Sequence, residues 1–274
     1  MRGLLQEQHP DLADLELRKV VGGWDNAMWR LGDELAVRLP RTERGPELLR
    51  KEYRWLPELA PRLPLPAPVP QRLGEPTERF PRTWLVTTWV DGEPADRTPI
   101  RAEEAADTLA GFLRALHVEA PADAPLSPGR GVPLKSLQVD EAGIEDVALR
   151  KIWAEAVAAP DWAGPPVWLH TDLHPANVVV ADGTLTGVID FGDLGVGDPA
   201  VDLAAAWILL PDGTADRFFK AYEVADDATI TRARGLAVVK ALALISVGDA
   251  GDKGLPGGKP TWGPAGRRTL ERLR

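Results

Sequence analysis

The chain is defined first by what it lacks. It has 274 residues and no cysteine, which excludes disulfides and thiol chemistry. Its four histidines are scattered, a poor basis for a zinc site. No apolar run approaches the length of a membrane span, and the opening residues, MRGLLQEQHPDLADLELRKV, are too polar for the apolar region of a signal peptide. No Walker-type phosphate loop is present. The nearest lookalike, Gly257-Gly258-Lys259, is followed by Pro260 in place of Ser or Thr and lacks the leading glycine spacing. Net positive charge is missing too. With 32 Lys and Arg against 41 Asp and Glu, the net charge is −9. That argues against nucleic-acid binding as the main task. It is compatible with attracting a cationic ligand, although acidity serves solubility equally well. Only eight of the basic residues are lysine; with 26 Gly, 26 Pro and many Ala, this points to a GC-rich genome and says nothing about function.

What remains is ordinary for a soluble globular protein: 44% hydrophobic and 27% charged residues. The length suffices for one large or two medium domains with real cores. The expected location is the cytoplasm, with no membrane partner and no nucleic-acid partner. No internal repeat or low-complexity tail is evident.

The chain is organised around VWLHTDLHPANVVVADGTLTGVIDFGDLGVGDPAVDLA, residues 167–204. It contains a His-x-Asp-x-x-x-x-Asn run (His170, Asp172, Asn177), a short apolar strand, an Asp-Gly turn (Asp182, Gly183), and a second strand that ends at Ile189-Asp190-Phe191-Gly192-Asp193. Asp-Gly tolerates the positive φ angles of a two-residue hairpin loop. If Ala181 pairs with Thr184, Asn177 falls opposite Val188, and Asp190 lies within a residue or two of Asn177. Residues directly opposed in an antiparallel pair sit about 5 Å apart. The hairpin thus carries two oxygen ligands to one end, with Asp172 in the loop before it. Magnesium wants oxygen ligands and is commonly held by one or two carboxylates plus substrate phosphates. Phosphoryl transfer needs positioning, charge neutralisation and an acceptor for the hydroxyl proton. Asp190 and Asn177 are therefore expected to hold Mg2+, and Asp172 to act as the base. Taken singly, each residue reads as an ordinary capping or turn Asp or a loop Asn; the combination is what carries the chemistry.

At HTDLHPAN, the hairpin, IDFGD and GDPAVDLA, the chain resembles the aminoglycoside phosphotransferase family, protein-kinase-like small-molecule kinases. The family more often has Gly where this chain has Thr171. The resemblance covers most of the chain, with close motif support from His170 to Ala204. It implies an α+β, two-lobed protein-kinase-like fold: a small antiparallel-sheet nucleotide-binding lobe over residues 1–92, and a larger, mainly helical catalytic and acceptor-binding lobe over 93–274. ATP, or GTP, would be the phosphate donor.

The remaining segments are expected to fill in this plan. Residues 1–16 read as a solvated N-terminal helix or extension. Short strands are expected at Leu17 to Val21, Ala27 to Leu31 and Leu35 to Leu39. The resemblance puts Gly22 and Gly23 in the loop over the nucleotide phosphates, where glycine lets backbone N–H groups approach an anion. It puts Ala36 beside the base and Arg38 at the place of the phosphate-contacting lysine; the two share a strand face. Arginine keeps the charge but not the shape of lysine. PELLRKEYRWLPEL, residues 46–59, reads as a helix with an apolar face of Leu48, Leu49, Tyr53 and Leu56. Glu52 on it is the best partner for Arg38, with Glu47 and Glu58 as rivals. A proline-rich surface stretch, 61–70, precedes the strong strand Trp84 to Val90, whose last backbone groups, at Trp89 and Val90, would meet the nucleotide base. Helices are expected over 102–117, about 140–158, 215–223 and 227–247. A Gly/Pro-rich loop holding Trp262 is expected over 248–266, and a short helix over 267–274. Asp198 reads as a helix N-cap with Pro199 in the first turn. The resemblance makes Asp202 a brace for the catalytic loop, and His170 and Asp198 further structural support.

The function implied is transfer of the γ-phosphate to a hydroxyl of a small molecule. An aminoglycoside or another antibiotic is suggested by the resemblance, which would mean antibiotic resistance. A small metabolite alcohol, choline-like or amino-acid-like, is the alternative, since the C-terminal third has only sparse acids (Asp249, Asp252, Glu271) among many basic residues. A protein kinase is disfavoured because Asp202 follows Asp190 by only 12 positions, too few for a peptide-docking loop. A pseudokinase acting as a binding protein is disfavoured by the intact Asp172, Asn177 and Asp190. The acceptor's identity and the oligomeric state are not readable from the residues.

Overall fold

The computed structural model describes residues 1–20 and 22–274. They divide into two compact units. The first comprises Met1–Asp91 with Val188–Asp193, the second Gly92–Gly187 with Leu194–Arg274. Among the described residues no helix is long and apolar enough to cross a membrane.

The first unit contains helix α1 (Arg2–Gln8), strands β1 (Leu17–Val20), β2 (Asn26–Leu31) and β3 (Leu35–Pro40), helix α2 (Gly45–Leu59), and strands β4 (Pro70–Gly74) and β5 (Trp84–Thr88). The strands form one sheet in the order β1-β2-β3-β5-β4, antiparallel at every pairing. The expected strand end at Val21 lies outside the described residues. The pleat sends alternate side chains of β3 to opposite faces. Val37 and Leu39 join Leu4, Leu5, Ala13, Leu31, Trp84 and Val86 in a core cluster. Residues 1–16 are therefore not a solvated extension: Leu4 and Leu5 anchor α1 to the sheet because that sheet face is otherwise an unpaired apolar surface.

Ala36 and Arg38 occupy the other face of β3. There, α2 buries Leu49, Glu52, Trp55, Leu56 and Leu59. This corrects the expected apolar face: Tyr53 is exposed, and the inward stripe runs 49-52-56-59 with a carboxylate in its middle. A carboxylate is tolerated there because Arg38 meets it (below). β4 emerges from the end of the proline-rich stretch, where Pro70 opens the edge strand and a bulge follows at Pro70/Arg72; edge strands are where proline is admissible.

The second unit contains β6 (Glu93–Pro94), α3 (Ala105–Leu116), α4 (Val147–Ala158), β7 (Val167–Leu169), β8 (Val178–Ala181), β9 (Thr184–Val188), β10 (Gly195–Gly197), α5 (Ala200–Leu203), α6 (Ala205–Ile208), α7 (Ala215–Tyr222), α8 (Asp227–Asp252) and α9 (Trp262–Leu273). Val188, the last residue of β9, already counts with the first unit. The order β6-β8-β9 forms one small sheet, and β7 pairs with β10 in another. The hairpin turn has positive φ at both Asp182 (51°) and Gly183 (78°), as a two-residue type I′ loop requires.

The C-terminal segment differs from expectation. Helix α8 runs on to Asp252, and α9 starts at Trp262, so the connection is far shorter than 248–266. Glycine was misleading there as a loop signal. A Cβ on Gly248 would stand 2.3 Å from the backbone nitrogen of Gly263, and one on Gly266 would stand 2.5 Å from the carbonyl oxygen of Ala241. These glycines let α8 and α9 cross backbone to backbone. The helix expected over 140–158 is instead a one-turn 3-10 segment, Glu141–Gly143, followed by α4, because Asp146 caps α4 by accepting the N–H groups of Ala148 and Leu149.

Two local features carry measurable consequences. Asp226 caps α8 by accepting the N–H of Thr229 at 2.7 Å, and its pKa is lowered, chiefly by its hydrogen bonds to Thr229. Asp226→Ala is expected to cost about 1 kcal/mol of stability at neutral pH. A lowered native pKa stabilises above the unfolded value and ceases to do so as pH falls through the native one. The wild-type advantage in denaturant midpoint should thus shrink below about pH 4. Thr171, after β7, has φ of 68°, a conformation costly for a β-branched residue. Thr171→Gly is expected to raise the urea midpoint by about 0.5–1 kcal/mol equivalent, the strain relieved less glycine's extra unfolded-state entropy; an unfolding series on the two proteins checks this.

Candidate functional site

The first unit assembles eight of the sequence-predicted residues. Gly22 and Gly23 form the β1–β2 connection. A Cβ on Gly23 would stand 3.9 Å from Oδ2 of Asp190, so this loop borders the Asp-Phe-Gly segment. Arg38 is 5% exposed and Glu52 is fully buried. Nη1 of Arg38 donates to both Glu52 oxygens, at 2.6 and 2.7 Å, and Nη2 reaches Asp190 Oδ1 at 3.4 Å. Burial pushes the Glu52 carboxyl above its ordinary value, against the pull of Arg38. Burial also opposes the Arg38 charge, but Glu52 and Asp190 outweigh it and hold the guanidinium protonated. Of the rivals, Glu47 and Glu58 are exposed.

Ala36 is buried and pairs in register with Thr87 of β5. Trp89 donates its N–H to Glu34 at 2.7 Å, so of the two residues expected to meet a base it spends that group on the sheet. Arg30 lies 4.8 Å over the Trp89 ring, and Val90 is buried. Asp190 itself has φ of 65°, which Asp tolerates better than most residues.

The sequence reading missed a clamp around the glycine loop. Arg44 binds Asp25 through Nε (3.2 Å) and Nη2 (2.7 Å), and binds Asp193 at 3.3 and 3.4 Å. Thr42 adds a hydrogen bond to Asp25 at 2.6 Å. Burial would raise the Asp25 pKa, but Arg44 and Thr42 more than offset it and hold it below the usual value. Arg44 thus ties the residue after Trp24 to the end of the Asp-Phe-Gly segment. Arginine's planar fork can serve two carboxylates at once.

The second unit assembles the rest. Asp202 in α5 is fully buried. Its carboxylate accepts the backbone N–H groups of His170 (2.6 Å) and Thr171 (2.7 Å), and His117 Nε2 stands 3.2 Å away. His117 Nδ1 in turn meets the Tyr222 hydroxyl at 2.8 Å. Burial pushes the Tyr222 pKa well up, aided by Asp202 and Asp198, so the phenol stays neutral. His170, fully buried, accepts the Asp172 N–H through Nδ1 at 3.2 Å.

Asp198 departs from its expected role. Pro199 occupies the cap position of α5, and Asp198, one residue earlier, accepts the Ala200 N–H at 2.9 Å. Its principal partner is Arg232 of α8, at 2.6 and 3.2 Å, a buried pair that no local pattern announces.

Asp172 collects an unexpected set of neighbours. Oδ1 receives Lys240 Nζ at 2.5 Å and Arg130 Nη1 at 3.0 Å. His174 Nε2 lies 3.6 Å from Oδ2. Asn177 donates through Nδ2 to the Asp172 carbonyl at 3.0 Å and to Oδ2 at 3.4 Å. Burial would raise the Asp172 pKa, but Lys240, then His174 and Arg130, outweigh it and hold the carboxyl far below the usual carboxylate range. His174 also packs against Trp262, ring centroids 4.5 Å apart. Lys240, Arg130 and His174 were missed; the available signals were a lone lysine in the apolar run LAVVKALALI, an arginine between two glycines, and a second histidine inside HTDLHPAN.

Each unit offers one oxygen donor that the sequence analysis expects for magnesium. Because Asn177 donates through its amide nitrogen, its amide oxygen points away from Asp172, and Asp190 offers a half-exposed carboxylate (46%). Both are hard oxygen donors of the kind magnesium prefers. Among the described residues no three His, Asp or Glu side chains cluster to hold a metal.

Comparison with known proteins bears on the fold and the family. An aminoglycoside 3'-phosphotransferase of Escherichia coli is 28% identical over 192 residues, 62% of this chain and 66% of the relative. One of Salmonella typhimurium is 28% identical over 159 residues, 52% of this chain and 59% of the relative. The matches thus span less than two thirds of these relatives' own length. Among solved structures, the GDP complex of an aminoglycoside 2'-phosphotransferase-IIIa superposes with a TM-score of 0.69 at 18% identity, covering 99% of this chain and 96% of that one. A macrolide 2'-phosphotransferase from Brachybacterium faecium gives 0.66 at 24% identity, covering 97% and 98%. These likenesses establish the fold, an α+β, kinase-like one. The model of the phosphotransferase enzyme family matches residues 16–236, most of the chain, and the chain belongs to that family.

Proposed function

We propose that this protein transfers the γ-phosphoryl group of ATP, or GTP, to a hydroxyl of a small molecule, and that it does so in the cytoplasm. The observation that carries the reading is the Asp172 carboxylate, held ionised on a loop whose backbone is fixed by Asp202. Residues 1–92 would serve as the nucleotide lobe and 93–274 as the catalytic and acceptor lobe. Magnesium–nucleotide, when bound, supplies the phosphoryl group and neutralises its charge.

The chain's own groups then divide the work. Asn177 and Asp190 supply oxygen ligands to the metal. Gly22 and Gly23 offer backbone N–H groups to phosphate, and Arg38, aligned by Glu52, offers its guanidinium. Ala36 leaves room for the base, with backbone groups at Trp89 and Val90 beside it. Asp172 accepts the hydroxyl proton as the new O–P bond forms and the bond to the nucleotide breaks. A carboxylate so far below its ordinary pKa is a weak base, so its larger contribution is to orient the hydroxyl and take the proton late. His170, Asp198 and Asp202 support this loop.

The acceptor class follows two readings. The relatives' names include aminoglycoside and macrolide phosphotransferases, which suggests an antibiotic. The Lys240 and Arg130 cations at Asp172 favour instead a small metabolite alcohol. The test is magnesium-dependent nucleotide consumption by the purified protein against aminoglycosides, macrolides and small hydroxyl compounds. Asp172→Ala is expected to reduce kcat by about 100- to 10,000-fold, the usual worth of a positioned base, with nucleotide affinity retained. Undiminished turnover in the variant would sink the assignment of Asp172, and absence of nucleotide binding would sink the kinase reading.

A further inference from the structure

Two cations share one carboxylate oxygen in the second unit. Lys240 Nζ and Arg130 Nη1 both meet Oδ1 of Asp172, at 2.5 and 3.0 Å. Neither cation is a loose surface side chain. Lys240 is about three-quarters buried and Arg130 about seven-tenths. Arg130 lies between Gly129 and Gly131, both with positive φ (72° and 66°), and also donates to the Thr171 carbonyl at 3.3 Å. Lys240 projects from the middle of α8. An ammonium has three donors, and Asp172 Oδ1 engages one of them.

Four acids of this unit are matched to arginines: Asp249 to Arg267, Asp212 to Arg272, Asp146 to Arg274, and Asp107 to Arg217. A polycation approaching Asp172 would meet the two positive charges of Lys240 and Arg130. Like charges brought together at a partly desolvated site are costly.

We propose that the acceptor is an anionic alcohol, with a carboxylate or phosphate near its reactive hydroxyl, and that Lys240 and Arg130 recognise that group while Asp172 takes the hydroxyl. This rests on the phosphotransferase reading above and narrows its substrate class. The two anions share their chemistry with these cations: arginine can bind either with paired donors, and lysine binds either as a point charge.

The experiment uses matched pairs of acceptors: glycerol 3-phosphate against glycerol, and 4-hydroxybutyrate against 4-hydroxybutyramide, with kanamycin as the polycation. Magnesium-dependent nucleotide consumption is measured for each. The expected result is a kcat/KM for an anionic member at least about tenfold above its uncharged counterpart, the size of one charge-assisted hydrogen bond; the glycerol and hydroxybutyrate pairs separate phosphate from carboxylate. Lys240→Met should bring that ratio close to one through KM, Arg130→Gln should lower it, and Lys240→Arg should keep it. Equal or better use of uncharged members or of kanamycin overturns the inference and leaves the kinase reading intact. So does a Lys240→Met variant that loses kcat equally on charged and uncharged acceptors, because Lys240 would then serve the phosphoryl group in transit. No nucleotide consumption with any acceptor, and no nucleotide binding, overturns both.

Discussion

The loop that follows β7 depends on a single buried carboxylate. Asp202, with no exposed surface, takes the N–H groups of two successive residues, His170 and Thr171, and so fixes the direction in which the loop leaves β7. A buried ionised group is costly unless every lone pair is served, and here two backbone donors and a histidine ring serve it. The same contacts hold Thr171 at a backbone angle that a threonine would not choose. Strain of this kind persists only where the surroundings over-determine it. Asp172 follows immediately, and its position inherits the rigidity of α5 through Asp202.

Each unit repeats this solution with different partners. In the first, Glu52 and Arg38 are a buried pair in the middle of an otherwise apolar helix–sheet contact, with Asp190 at its edge. In the second, Asp198 and Arg232 form another. Such pairs seldom add stability over an apolar replacement, but breaking one leaves a buried charge uncompensated. Their value here is geometric: each fixes a residue next to the site without using flexible surface side chains.

The electrostatics around Asp172 differ from those of a site built for a polycation. Its carboxylate is already met by Lys240 and Arg130. In the proposed role of Asp172, an incoming hydroxyl would share the carboxylate with these cations, so the acceptor's own charge would matter where the proton leaves. Family membership alone leaves this open, because the family's fold can carry acceptor sites of different charge.

The sequence determined by itself whatever depends on local spacing. The Asp-Gly turn sets the hairpin because two positive φ angles need those residues. The five-residue step from Asp172 to Asn177 and the Asp-Phe-Gly segment carry the resemblance to the family, and alternation on β3 puts Ala36 and Arg38 on one face. Glu52 was legible as the partner of Arg38, though not its full burial within the helix stripe. Tertiary structure alone decided what no short window contains. Lys240 and Arg130 reach Asp172 across 68 and 42 positions of chain, and Arg232 reaches Asp198 across 34. The glycines of α8 and α9 read locally as loop, yet they permit close helix packing. The physical reason is common to all of these: a charge or a missing Cβ carries no local preference for its partner, and only the packed chain supplies one.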